Sequence, residues 1–133
     1  MSRENVEIVE RALDAFSRRD VDVAAGFATT DFEWFPAMPG TVERDSYQGP
    51  EGVGGYLRDV LDTWEELRVL PEEFRDLGDR VLVLGRMAGR GLASGVPVDA
   101  PIGMVFECRG GKISRIRSFL DHGEALRAAG LSE

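Results

Sequence analysis

The chain has 133 residues, 43% of them hydrophobic and 30% charged, which fits one soluble globular domain with a core large enough to leave room for a ligand. A net charge of −8 and a pI near 4.7 argue against a nucleic-acid or anionic-membrane partner, either of which needs a basic surface. One cysteine, Cys108, and one histidine, His122, exclude an intrachain disulfide and a thiolate zinc cluster, so no metal and no cofactor is expected. With no apolar run of membrane-spanning length, the expectation is a cytoplasmic protein.

In chain order, Ser2 is a candidate N-cap for a first helix. Val6, Val9, Leu13 and Phe16 recur at spacings of three and four, opposite a charged face of Glu7, Glu10, Arg11, Asp14 and Arg18. Asp20 caps a short second helix over about Val21 to Ala28, with Ala24 and Phe27 buried. Phe32 to Phe35 reads as a strand. Ala37 to Gly49, broken by Pro39-Gly40, reads as a long loop of the kind that often binds or covers a ligand. Gly49-Pro50-Glu51 starts a third helix carried by Val53, Leu57, Val60 and Trp64 to about Glu65.

From Leu67 the period shortens. Leu67, Val69 and Phe74 mark a strand with an irregularity at Pro71, and Arg80 to Arg90 is the strongest strand of the chain. Val98–Cys108 and Ile113–Leu120 form a hairpin across Gly110-Gly111, two glycines suited to the positive φ of a two-residue turn. Asp121 and Glu124 form a capping box for a last helix that stops at Gly130. Helices gathered early and strands late argue for an α+β domain spanning residues 1–133, its helices packed on one face of a bent sheet.

These residues resemble the nuclear-transport-factor-2-like superfamily in its SnoaL-like branch. The matching stretches are Glu7 to Asp20, Asp31-Phe-Glu-Trp34, Tyr47-Gln-Gly-Pro-Glu-Gly52 and Gly110 to Arg117. The resemblance implies a cone, a bent mixed or antiparallel sheet wrapped around the long first helix as in cystatin-like folds, with a pocket between them. It also implies a homodimer through the outer sheet face, with Met104, Phe106, Arg115, Arg117 and Phe119 on that face. The same fold hosts many functions, so the chemistry has to come from the site. Positions where ketosteroid isomerases carry their acids correspond to Ala12, Phe35 and Gly103, and those of limonene-epoxide-hydrolase-like enzymes to Arg80, Leu82 and Ser118. Five of the six lack the group required.

Strand alternation laid over this resemblance places Glu33, Phe35, Leu84, Arg86, Gly103, Val105, Ser118 and Leu120 around the pocket, with Phe16, Tyr56 and Trp64 from the helices. Gly103 and Ser118 would leave space for a ligand, and Arg86 would bind an anionic or carbonyl-bearing group. The expected partner is a small apolar or carbonyl-bearing molecule. The leading expectation is a small-molecule-binding domain; the alternative is a cyclase- or isomerase-type enzyme with Asp121 or His122, at the pocket rim, as its acid/base. The competing reading makes Asp121 a helix cap, and a further alternative is a non-catalytic interaction module.

Overall fold

In the computed structural model, which describes residues 3–36, 46–65 and 67–131, the elements run α1 (Glu4–Ser17), α2 (Val21–Gly26), β1 (Ala28–Phe35), β2 (Tyr47–Gln48), α3 (Gly49–Thr63), β3 (Arg68–Asp76), β4 (Arg80–Arg90), β5 (Pro97–Arg109), β6 (Lys112–Phe119) and α4 (His122–Ala128). The six strands form one curved sheet in the order β2-β1-β6-β5-β4-β3, giving an α+β fold. β1 runs parallel to β6, and the other pairings are antiparallel, so the sheet is mixed. Gly110 and Gly111 both take positive φ (60° and 80°), as the tight β5–β6 turn between Arg109 and Lys112 requires. The irregularity at Pro71 is a register shift between Pro71 and Glu73 in the β3–β4 ladder.

Several boundaries move from the sequence expectation. Ser2 and the stretch 37–45 of the expected loop lie outside the described residues, and Arg3 precedes α1 without a side-chain cap. The second helix stops at Gly26, because Ala28 already pairs with Ile113 of β6. Asp20 does cap it, accepting a hydrogen bond from the Val23 amide at 3.2 Å. β2 was not foreseen: two residues are too few for a readable alternation, and β1 holds them through Glu33↔Gln48 and Trp34↔Tyr47.

The largest correction concerns layers. The helices do not share one face. Residues of α1, α2 and α3 join one large core that includes Val6, Val9, Ala24, Val53, Leu57 and Val60, with Val81, Val83, Met104 and Phe106 from the sheet. α4 covers the opposite face, where Ala125 and Ala129 pack on Leu82, Leu84 and Val105 in a second, smaller core. The close approach is possible because Gly103 has no side chain: a Cβ there would fall inside 3.0 Å of Ala125 Cβ. The C-terminal carbonyls of α4 are met by arginines from the strands, Arg80 on Ala129 O at 2.8 Å and Arg117 on Ala128 O at 3.3 Å.

α1 is tied at both ends. Asn5 donates to Gly78 O at 2.7 Å, and beyond the C-terminus Arg19 donates to Phe16 O at 3.2 Å and Leu67 O at 2.9 Å. Arg19 itself sits at φ 59°, a left-handed conformation that costs a non-glycine residue about 1 kcal/mol or more and that its two carbonyl contacts help to hold.

Candidate functional site

Between the three N-terminal helices and the concave sheet face lies a cavity of about 60 Å³, several times the ~10–15 Å³ that one buried water needs. Its sheet wall is built by Phe32 and Trp34 of β1, Met87 of β4, Ile102, Met104 and Phe106 of β5, and Ile113, Ile116 and Ser118 of β6. The helical side supplies Ala12, Leu13, Phe16, Val53 and Tyr56, and Trp64 and Leu67 close it from the α3–β3 connection. No described lining residue carries a charge.

Four of the residues expected around a pocket line it: Phe16, Tyr56, Trp64 and Ser118. The rest of the expected set lies elsewhere. Glu33 is paired with Arg115 at 3.3 Å, and Phe35 alternates away from Trp34. Arg86 is 43% exposed and bridges to Asp99 at 2.7 Å. Leu84, Gly103 and Val105 lie beneath α4, and Leu120 is exposed. Leu120 lies past the end of β6, and the error shared by the others is a one-residue slip of face on β1, β4 and β5. Residues directly opposite in a ladder project to the same side, and Ser118 pairs with Met104, Ile116 with Phe106 and Phe106 with Val81. Once Ser118 and Ile116 face the cavity, the odd-numbered residues of β4 and the even-numbered residues of β5 must face it too.

Charge enforces the same choice. Burying Glu33, Arg86 or Glu107 unpaired in an apolar cavity would cost several kcal/mol. On the convex face they find partners: Arg115 reaches both Glu33 and Glu107 (3.3 and 3.7 Å), and Arg117 lies 3.7 Å from the same Glu107 carboxylate. The outer patch is therefore a ladder of charges. Met104 and Phe106, expected on it, are buried in the concave core.

Asp121 and His122 are not at the cavity. Asp121 is the N-cap of α4, its carboxylate accepting from the Gly123 amide at 2.7 Å. Half-buried His122 is hydrogen-bonded through Nε2 to Gly85 O at 2.9 Å, and it opens a helix that packs on the convex face. Cys108 is buried, and desolvation with the nearby Asp79 charge pushes its thiol up to about 11, so it stays protonated and unreactive. Among the described residues no three acidic, cysteine or histidine side chains cluster to hold a metal, and no helix is long and apolar enough to cross a membrane.

The polar groups that line the cavity are neutral. Trp34 stacks on Tyr56 (centroids 4.1 Å apart, planes 29°) and meets Phe16 edge-on at 5.7 Å. Burial, only partly countered by Arg19, pushes the Tyr56 phenol up to about 12, so it is a hydrogen-bond donor and not a base at neutral pH. The indole Nε1 atoms of Trp34 and Trp64 are enclosed and have no hydrogen-bond partner among the described residues. A buried donor left unmade costs about 1–3 kcal/mol. A second buried polar pair, Tyr47 Oη donating to Asp59 at 2.6 Å, ties β2 to α3. Trp34 reads from the sequence as core or pocket wall, but strand alternation turned Glu33 and Phe35 inward in its place, although Phe32 and Trp34 form the uncharged face of Phe32-Glu-Trp-Phe35.

The family model of the SnoaL-like domain matches residues 9–116. Among solved structures, the chain is 25% identical to TerC, crystallised with polyporic acid, over 96% of this chain and 97% of that one (TM-score 0.79). It is 25% identical to a candidate SnoaL-like polyketide cyclase from Jannaschia sp. CCS1, covering 96% and 92% (TM-score 0.75). A nuclear-transport-factor-2-like protein from Burkholderia xenovorans LB400 shares the fold at 24% identity, with 100% and 98% covered (TM-score 0.78). No curated protein matches the chain.

Proposed function

We propose, for a chain that belongs to the SnoaL-like branch of the nuclear-transport-factor-2-like superfamily, that it is a small-molecule-binding protein whose concave cavity takes a small, neutral, largely apolar molecule. The lining carries the reading: aromatic and aliphatic side chains with a few neutral polar groups and, among the described residues, no carboxylate, imidazole or cation. Such a wall favours an uncharged ligand by area burial and disfavours an ion, which would enter without a counter-charge. TerC, whose structure was solved with polyporic acid, supports a small organic molecule as the ligand class.

The geometry supports binding over acid–base turnover. Asp121 caps α4, His122 sits on the convex side with it, and the Tyr56 phenol is too weak an acid to work as a base near neutrality. Calorimetric titration and thermal shift with a size-graded panel of small neutral apolar compounds test the reading. A binder at 100 times its dissociation constant adds ~2.7 kcal/mol of stability, and burial of apolar surface gives a negative heat-capacity change. In Ala12→Leu, which pushes a larger side chain toward the cavity, the shift shrinks or vanishes. If no neutral compound of the panel stabilises the protein while charged analogues do, the proposal fails.

A further inference from the structure

The cavity is not equally apolar along its length. Among the described lining residues only Ser118 and Tyr56 carry a hydroxyl. The direction of Ser118 follows from its neighbours. It stands two residues beyond Ile116 on β6 and pairs with Met104 of β5, and both of these line the cavity. Residues two apart on a strand, or directly opposite in a ladder, project to one side. Ser118 Oγ has no hydrogen-bond partner among the described residues. On a half-buried residue it is also not one of the fully enclosed, partnerless atoms, which are the two indole nitrogens and Arg117 Nε. Ser114, the other serine of β6, instead donates to Glu107 O at 3.2 Å. Tyr56 stacks on Trp34, whose ladder partner is Ile116, so it belongs to the same half of the cavity as Ser118. The other half, where Ala28 pairs with Ile113 and Phe32 stands beside them, presents hydrocarbon only. Ile113 and Ser118 lie about 16 Å apart along the strand.

We propose that the cavity is polarised along β6, and that Ser118 is the specificity residue that takes the one polar atom of the ligand. That ligand is a neutral molecule with a hydroxyl or carbonyl oxygen at one end and hydrocarbon over the rest. It lies with its oxygen at the Ser118–Met104 end and its apolar body toward Ile113. The inference rests on the binding reading above and adds to it the ligand's polarity and direction. A serine hydroxyl both donates and accepts, so it serves an alcohol or a ketone. A pure hydrocarbon pressed against it would strip its water and return nothing, a loss that a matched oxygen avoids. The hydrocarbon half imposes the direction: an oxygen turned that way would be desolvated with no partner among the described wall residues.

The test uses cyclohexanone against methylenecyclohexane, which has the same shape with a methylene carbon in place of the oxygen. Ser118→Ala should weaken cyclohexanone by about 3- to 10-fold, the worth of one neutral hydrogen bond, and change methylenecyclohexane affinity by no more than about twofold. Ser118→Thr, which keeps the hydroxyl, should preserve the parent's ratio of the two affinities. Direction is read on the unaltered protein by intermolecular NOEs. The ring protons beside the carbonyl should contact the Met104 methyl, and those opposite it the Ile113 methyls. Should a variant fail to fold, these NOEs decide alone. An equal effect of Ser118→Ala on both compounds, or the reversed NOE pattern, overturns the inference and leaves the cavity reading standing. So does binding of hydrocarbon members of the neutral panel without binding of cyclohexanone. If the whole neutral panel and both probes fail to bind, the inference and the reading beneath it fall together.

Discussion

Gly103→Ala is the most direct probe of the two-layer arrangement. The added Cβ would fall inside 3.0 Å of Ala125 Cβ and 3.4 Å from Leu84 Cδ2, so α4 must move off the sheet or the strand must bend. Overpacking of this kind costs about 1–3 kcal/mol. Alanine also narrows the unfolded ensemble and returns about 0.4–1 kcal/mol, which leaves a net loss of about 1–2 kcal/mol. For a domain of this size that lowers the melting temperature by about 4–8 °C. Urea unfolding of the variant, of Ala125→Gly and of the double variant forms a thermodynamic cycle. In the double variant the nearest obstacle is gone, so the two losses should add to less than their sum, with a coupling of about 1 kcal/mol. Ligand affinity should be unchanged, because α4 and the cavity lie on opposite faces of β5. A variant as stable as the parent, or a strictly additive cycle, would refute the close approach of α4 to the sheet at this point.

Three further outcomes are expected. Asp121→Ala loses a helix cap and about 1 kcal/mol of stability by urea unfolding, with no change in ligand affinity; a loss of affinity would return this residue to the site. Tyr47→Phe removes the donor to buried Asp59, costs about 1.5–3 kcal/mol and speeds amide exchange in β2 and the middle of α3, whereas a neutral result would show the pair to be incidental. Tyr56 sets an alkaline limit. Its phenol ionises near 10 in the unfolded chain and near 12 in the folded one, so its contribution is fully present below about pH 10 and is lost between 10 and 12. At pH 11 the native protein should have given up about 1.4 kcal/mol relative to pH 8 through this group, a fall that Tyr56→Phe abolishes; identical pH profiles for the two proteins would contradict it.

The elements were legible because their signals are local. The 3–4 spacing of Val6, Val9, Leu13 and Phe16, the glycine pair of the hairpin and the Asp121 cap each depend on neighbours in sequence. The faces of the strands were less so. Gly103 and Ser118 read equally as small residues beside a ligand, yet one meets a helix and the other a cavity, and only the ladder register separates them. The charges held the better clue: Glu33, Arg86 and Glu107 mark the convex side, and Trp34, Met87 and Phe106 stand one residue away from each, facing inward. The position of α4 depends on packing between distant parts of the chain. A glycine interrupting the alternation of β5 was its one mark in sequence. Arg19 in a left-handed conformation left no mark at all, since its carbonyl partner on Leu67 is 48 residues away.

Because both tryptophans of the chain line one cavity, the protein carries its own optical gauge. Unfolding would wet both indoles and move their emission to longer wavelength, whereas an apolar guest would displace any water and move it the other way. Phe16 and Tyr56 lie against the Trp34 ring, so excitation absorbed by the tyrosine can pass to an indole that faces the guest. Occupancy and integrity could thus be followed in one cuvette, with opposite signs and without a label.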